Sequence, residues 1–399
     1  MRLLIISDDS LPYSTLVHAK MLHELAKELQ FQGHNPIILA PSDQGQTDCL
    51  IVKAIDGVEY WKFKSPTLRG NGKIKRAINE SLLSTRAWFA IKNNFNKNYF
   101  DGVIYYSPSI FFGRLVKKIK SKSNCKSYLI LRDDFPQWAV DEGLIKNGSL
   151  IEKYFVYHEK VNYQAADSIG LMSPKNLEMF NEKYNRAFKA HVLYNWADIN
   201  PPQHSHFSFD LRVSLGLKNK IIYFYGGNVG HAQDMGNLLR LAEAMLEAKH
   251  VHFIILGNGD EVDLVKSTIK DKCLINTSFM DSVSQDKYKE ILAQVDVGLF
   301  SLSANHKAHN FPGKLLGYMA QSLPILGSVN QGNDLIDVVR NSGAGYIFEN
   351  GDDNSLFSGA MKLANSKYLR KNYGSKSNNL LIDNFSVNSA VETILSEIK

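Results

Sequence analysis

The chain has 399 residues, 44% of them hydrophobic, 22% charged and 11% aromatic, with 27 Gly and 11 Pro. That composition excludes collagen-like, disordered and small disulfide-scaffold proteins, and the length exceeds the roughly 250 to 300 residues at which a single core stops growing, so two domains are expected. The net charge of +6 is uneven, with 27 Lys/Arg against 20 Asp/Glu in residues 1–200 and 19 against 20 in the remainder.

Aliphatic runs alternate with amphipathic stretches along the chain, the signature of α/β architecture with parallel sheets. In the first half, strands are predicted at residues 3–7, 36–40, 102–106, 128–131, 168–172 and 191–194. Helices are predicted between them at 15–32, 74–95, 110–120, 150–166 and 174–182. Residues 195–220, with Pro201-Pro202 and little periodicity, read as a linker. The pattern then restarts with strands at 221–225, 252–256, 274–276, 297–301 and 324–327, and with helices beginning near Ala232, Asp260, Gln285, Gly313 and Asp334. The expected fold is therefore α/β, with two Rossmann-like doubly wound domains in tandem. The boundaries are 1–200 and 201–399, with the last helix free to pack back on the first domain.

Between Tyr60 and Lys126, fifteen Lys/Arg stand against Glu80 and Asp101 alone, which predicts an anionic surface or partner. Within that segment Ile74, Ile78, Leu82, Thr85 and Phe89 form an apolar stripe near Lys73, Arg76 and Arg86, suited to a membrane surface or to packing on a sheet. No apolar run approaches the roughly 20 residues that span a bilayer, and no signal peptide is read at the N-terminus. Cys49, Cys125 and Cys273 are too far apart for a metal or disulfide framework, as suits a reducing cytoplasm.

Several stretches carry chemistry. Tyr225-Gly226-Gly227-Asn228-Val229-Gly230-His231-Ala232-Gln233 lies where a strand gives way to a helix. Glycines there let backbone N–H groups approach an anion, and the helix start adds partial positive charge. The spacing is not G-x-G-x-x-G, and no acidic residue stands ready for a dinucleotide ribose, which argues against nicotinamide or flavin chemistry. In the stretch from His309-Asn310 to Gly313-Lys314, an ammonium one residue inside a helix start makes a diphosphate clamp. Arg132-Asp133-Asp134, followed by Trp138 and Asp141, suits a sugar-stacking acid/base surface, with a loop lock as the alternative. The loop from Asp8 to Thr15 is an acceptor-side candidate, and His158-Glu159 is a secondary one that a solvated helix face explains equally.

As a set, these motifs resemble the GT-B glycosyltransferases of family 4. Within them they are similar to bacterial O-antigen and capsule transferases assigned to N-acetyl-L-fucosamine. The resemblance rests on the Ser10-Leu11-Pro12 opening, Tyr105-Tyr106-Ser107-Pro108, the segment from Leu131 to Trp138, the Gly227 to Gln233 loop, the segment from His309 to Lys314, and Ser328 to Asp334. It implies two domains facing a cleft, with the second binding a UDP-sugar. Gly226, Gly227, Asn228, Gly230, His231, Gly313 and Lys314 would lie at the diphosphate, the Phe279-Met280 backbone near the uracil, and His309 and Asn310 at the donor. It also implies metal-independent, retaining transfer to a polyprenyl-diphosphate-linked saccharide, with no cofactor and no nucleic acid, at the cytoplasmic face of the membrane. Asp133, Lys314, Asp134 and Arg132 become the candidate catalytic residues. The chain departs from the family at two acidic positions, occupied here by His309 and Gly317, and at a glycine-loop arginine, where Asn228 stands. A UDP-sugar 2-epimerase and a non-catalytic partner subunit are the competing readings.

Overall fold

The computed structural model describes every residue except 13, 15–16, 43–45, 67–72, 142, 197–208 and 306–312. The chain forms two compact units, one of Met1–Tyr194 with Val387–Lys399, the other of Asn195–Ser386.

Unit 1 begins with β1 (Arg2–Ile6), α1 (Val17–Phe31) and β2 (Asn35–Pro41), then a hairpin of β3 (Leu50–Ile55) and β4 (Val58–Phe63). There follow α2 (Lys73–Ser81), α3 (Leu83–Ile91), β5 (Gly102–Tyr106), α4 (Gly113–Ser123), β6 (Lys126–Leu131) and α5 (Gln137–Asp141). The run closes with α6 (Leu150–Tyr163), β7 (Ser168–Leu171), α7 (Pro174–Lys183) and β8 (Ala190–Val192). The sheet order is β3-β4-β2-β1-β5-β6-β7-β8, parallel except for the β3–β4 pair. Leu3 to Ile6, Ile37 to Ala40 and Val103 to Tyr105 are buried, as continuous apolar strands covered on both faces must be. The helix starts carry their expected caps: Ser149 accepts the Glu152 N–H while the Glu152 carboxylate returns to the Gly148 N–H, and Ser173 caps α7 ahead of Pro174.

Two sequence expectations for this unit are corrected. The β3–β4 hairpin was not anticipated; Asp56-Gly57 turns it in two residues with φ of 48° and 84°, and Ile55 pairs with Val58. The helix expected across 74–95 is two helices meeting at Leu82, and the residues that face the sheet are Leu83, Ala87 and Ile91, a different set from the expected apolar stripe. Ile78 (56% exposed), Leu82 and Phe89 (62%) lie on the open side.

Unit 2 contains α8 (Leu211–Ser214), β9 (Ile221–Asn228), α9 (Met235–Ala244), β10 (Val251–Asn258), α10 (Val262–Asp271), β11 (Thr277–Met280) and α11 (Gln285–Leu292). It continues with β12 (Val297–Ser301), α12 (Gly313–Ala320), β13 (Ile325–Val329), α13 (Leu335–Ser342), β14 (Gly345–Glu349), α14 (Asp353–Asn365) and α15 (Lys367–Leu380). All six strands are parallel in the order β11-β10-β9-β12-β13-β14. The order reverses between β9 and β12, the point at which open α/β sheets bind ligands beyond their strand ends. The third strand begins at Thr277, not at residue 274: Leu274 is buried in the turn before it, and pairing with β10 starts at Thr277 opposite Phe253. The C-terminal helix α16 (Val387–Ile398) belongs to unit 1, burying Ala390, Val391, Ile394, Leu395 and Ile398.

Candidate functional site

In unit 2, α12 is fixed by the fully buried Tyr318. Its hydroxyl donates to the carbonyl of Leu299 in β12 (3.1 Å) and accepts the N–H of Gly226 at the end of β9 (3.3 Å). Lys314 lies four residues earlier, on the same side of the helix. Its Nζ donates to the Tyr225 hydroxyl at 2.6 Å and sits 3.8 Å from the centre of that ring. Gly227, at φ +137°, leaves the room: a Cβ there would stand 3.3 Å from Lys314 Cε and Nζ. Burial pulls the Lys314 amine down to about 7. A half-buried cation beside a glycine-lined strand end at the switch point makes a candidate anion site.

The rest of the loop is closed by its own side chains. Asn228 Nδ2 donates to Gln233 Oε1 at 2.7 Å. The exposed His231 ring meets the buried Glu261 carboxylate at 2.8 Å, and Glu261 also accepts the Met235 N–H at the start of α9. Gly226 cannot offer its N–H to a ligand, because Tyr318 holds it; its missing side chain makes space for Tyr288, whose ring a Cβ would meet at 2.6 Å. A Cβ at Gly230 would lie 2.5 Å from Asp260 Oδ1. Gly313 opens α12 with nothing within 4 Å of its would-be Cβ. Phe279 and Met280 end β11 at the outer edge of the sheet. His309 and Asn310 lie outside the described residues.

In unit 1, Arg132 at the end of β6 is a structural lock rather than a group presented to substrate. Its guanidinium donates to the carbonyls of Leu131, Gly170, Leu193 and Tyr194 at 2.8 to 3.3 Å, and burial lowers it to about 10. Asp133, the next residue, is half-buried. Burial first and the Asp134 charge second push its carboxyl up to about 6. Asp134 itself points outward to Lys183 at 2.8 Å, an exposed pair of small energetic consequence. Of the two carboxylates, Asp133 is the one poised to exchange a proton near neutrality. Trp138 stays 43% exposed beside Phe135.

Of the groups near Asp133, sequence reasoning named the Asp8 loop and Tyr106 but not His18. Tyr106, ending β5, is stacked on His18 of α1 with ring centres 5.0 Å apart, and His18 Nε2 lies 3.5 Å from Asp8. Burial raises the Tyr106 hydroxyl to about 12, with Arg132 opposing and Asp8 and Asp133 adding to the shift. Asp8, Tyr106 and Asp133 all follow or end neighbouring parallel strands, and only His18 carried no local signal. His158 and Glu159 are buried, not a solvated face: Phe111 and Tyr154 box in His158, while Glu159 bonds Tyr184 and Tyr163. Among the described residues no three His, Cys, Asp or Glu side chains converge as metal ligands.

The basic segment divides in the same way. Lys62 is 2% exposed and donates to Ser10, Lys120 pairs with Asp167 at 2.6 Å, and Lys122 caps the Lys92 carbonyl. Arg114, Lys117 and Lys118 face outward on α4. No helix among the described residues is long and apolar enough to cross a membrane.

Residues 219–366 match the family described as glycosyl transferases group 1. Over 314 residues the chain is 24% identical to the probable glycosyltransferase WbjE of Pseudomonas aeruginosa, covering 77% of this chain and 76% of that one. It is 23% identical over 225 residues to the putative colanic acid biosynthesis glycosyl transferase WcaI of Escherichia coli K12, about 55% of each. Among solved structures, Anabaena HepE in complex with UDP superposes over 99% of both chains with a TM-score of 0.68 at 14% identity. The match to the glycosyl transferases group 1 model thus falls within unit 2, and the fold of the chain is that of the GT-B glycosyltransferases.

Proposed function

We propose that the chain transfers a sugar, N-acetyl-L-fucosamine, from UDP to a polyprenyl-diphosphate-linked saccharide in O-antigen or capsule synthesis. The observation that carries this reading is the half-buried Lys314 amine brought against the β9 glycine loop, within the segment that matches the group 1 family. The HepE structure was solved with UDP bound, and WcaI is named for colanic acid synthesis, which supports a UDP donor and a polysaccharide product. The specific sugar, retention at the anomeric carbon and independence from metal rest on the motif resemblance.

In this reading the C1–O bond to the β-phosphate breaks and a C1–O bond to the acceptor hydroxyl forms. The ammonium of Lys314 and the loop amides neutralise the departing diphosphate, where charge grows as the bond breaks. Asp133, ionised above about 6, serves the acceptor hydroxyl. The protein works from the inner face of the cell membrane. The exposed Ile78, Leu82 and Phe89 and the outward Arg114, Lys117 and Lys118 supply the apolar and cationic groups an anionic leaflet requires.

The test is calorimetric titration with UDP-, GDP- and dTDP-sugars, followed by transfer assays with and without chelator. Saturable binding confined to UDP forms, with transfer that survives chelator, is the expected outcome. Binding of GDP- or dTDP-sugars in place of UDP forms would overturn the donor assignment.

A further inference from the structure

Resting on that reading of the donor site, we propose that Tyr225 is a positioning residue. It fixes the Lys314 amine at the glycine loop and keeps it in the cationic form that the donor diphosphate needs.

A tyrosine hydroxyl has a single proton to give. Tyr225 gives its proton to the main-chain carbonyl of Asn228, three residues along its own chain. Its oxygen can therefore only accept from Lys314, and the 2.6 Å contact is an N–H donated by the amine. That arrangement favours the ammonium over the neutral amine, as does the ring face beneath it at 3.8 Å and the second ring, Phe300, at 5.9 Å. The same hydroxyl ties the Asn228 carbonyl back to residue 225, so one side chain sets both the bend through Gly226-Gly227 and the place of the cation.

Among the described residues, the titratable groups around the Lys314–Tyr225 pair are the tyrosines Tyr318 and Tyr288 and the Glu261 carboxylate, whose charge acts on Tyr225. Tyr318 of α12 spends its hydroxyl on the Leu299 carbonyl and the Gly226 N–H, and Tyr288 of α11 lies against Gly226. Burial raises all three hydroxyls far above neutrality, so none becomes a competing anion in the working range. Burial lowers Lys314, with no carboxylate among the causes; the hydrogen bond that the amine donates to the Tyr225 oxygen favours the ammonium against that loss.

The experiment labels lysine Cε with 13C, assigns Lys314 by its disappearance in Lys314→Met, and follows its resonance with pH in wild type and in Tyr225→Phe. The phenylalanine keeps the ring and removes the hydroxyl. The midpoint is expected to fall by about one pH unit, a tenfold loss in the proton-binding constant. In parallel, the alkaline limb of UDP affinity should move to lower pH by the same amount, and in Lys314→Met that limb should vanish. A Tyr225→Phe midpoint equal to or above the wild-type value overturns the inference, whatever happens to UDP. Unchanged UDP affinity in Lys314→Met instead removes the donor-site reading and leaves the Tyr225 titration to stand or fall separately. Should Tyr225→Phe not fold, 3-fluorotyrosine at 225 keeps the shape while weakening the oxygen as an acceptor, and the midpoint must still fall.

Discussion

Replacing Lys314 with methionine should make the empty protein more stable while removing donor binding. Methionine fills nearly the same volume without a charge to bury. In the folded chain the amine sits at about 7 against an ordinary value of 10.5. At about 1.36 kcal/mol per pH unit, that difference represents roughly 5 kcal/mol held against the charged form in the fold. Below pH 6 both folded and unfolded chains are protonated, so wild type bears the whole penalty and Lys314→Met should exceed it by about 5 kcal/mol. Between about 7 and 10.5 the unfolded chain binds more protons than the folded one, so wild-type stability rises with pH. The advantage of the variant should shrink to about 4 kcal/mol at pH 7 and about 3 at pH 8.5, and disappear near 10.5. For a unit of this size, 4 kcal/mol corresponds to a rise of roughly 10 °C in Tm. Urea melts of both proteins across pH 6 to 10, read by circular dichroism without nucleotide, measure the gap directly. A variant less stable than wild type at pH 7, or a gap that does not narrow as pH rises, would refute the burial argument.

Lys314→Ala is expected to lower transfer at least a hundredfold with the fold intact, since the lost charge matters most as the leaving group departs; radiolabelled-sugar transfer measures it, and near-normal turnover would remove the clamp. Asp133→Asn should abolish turnover and leave UDP affinity unchanged in calorimetry, and wild-type activity should decline as pH falls through about 6, where Asp133 takes up its proton. Arg132→Lys keeps the charge but loses the fork that serves four carbonyls; it should destabilise unit 1 by about 1 to 3 kcal/mol in urea melts, and a fully stable but inactive variant would return Arg132 to the catalytic set. Neutralising Arg114, Lys117 and Lys118 together should weaken sedimentation with anionic liposomes about a hundredfold at low salt, at about 1 kcal/mol per cation. The pair Lys120 and Lys122, already engaged within the protein, should matter much less.

What the sequence discloses depends on how local its cause is. The run Leu3-Leu4-Ile5-Ile6 declares a buried parallel strand because each residue in it answers to the same environment. The β3–β4 hairpin escaped notice because the alternation there is imperfect, with Ile51 and Val52 both exposed at the sheet's edge, although Asp56-Gly57 is itself a two-residue turn signal. Apolar side chains stand on both faces of α2 and α3, so the pattern leaves the stripe open to a membrane surface or to the sheet, and only packing shows that the sheet takes Leu83, Ala87 and Ile91. Site residues follow the same rule. Lys314 stood out by its place after Pro312-Gly313, but its partner Tyr225 is 89 residues away and looks like any strand tyrosine. Arg132 looked like a group offered to a substrate because its acceptors are main-chain oxygens up to 62 residues away, which no side-chain pattern reveals.

The return of α16 to unit 1 bears on how the molecule is made. Residues 195–386 are inserted between the body of unit 1 and the helix that lies against α1 and β6. On the ribosome, unit 2 has its whole sequence available before unit 1 does. Until α16 arrives, the seat of Ile398 beside Gly102 stays open, because a Cβ on that glycine would come within 3.1 Å of the isoleucine. A fragment cut after Tyr194 would keep this greasy seat permanently bare, whereas one with residues 387–399 rejoined through a short linker should fold alone. Chaperone demand during synthesis should accordingly fall on the first 194 residues, which wait longest for their last piece.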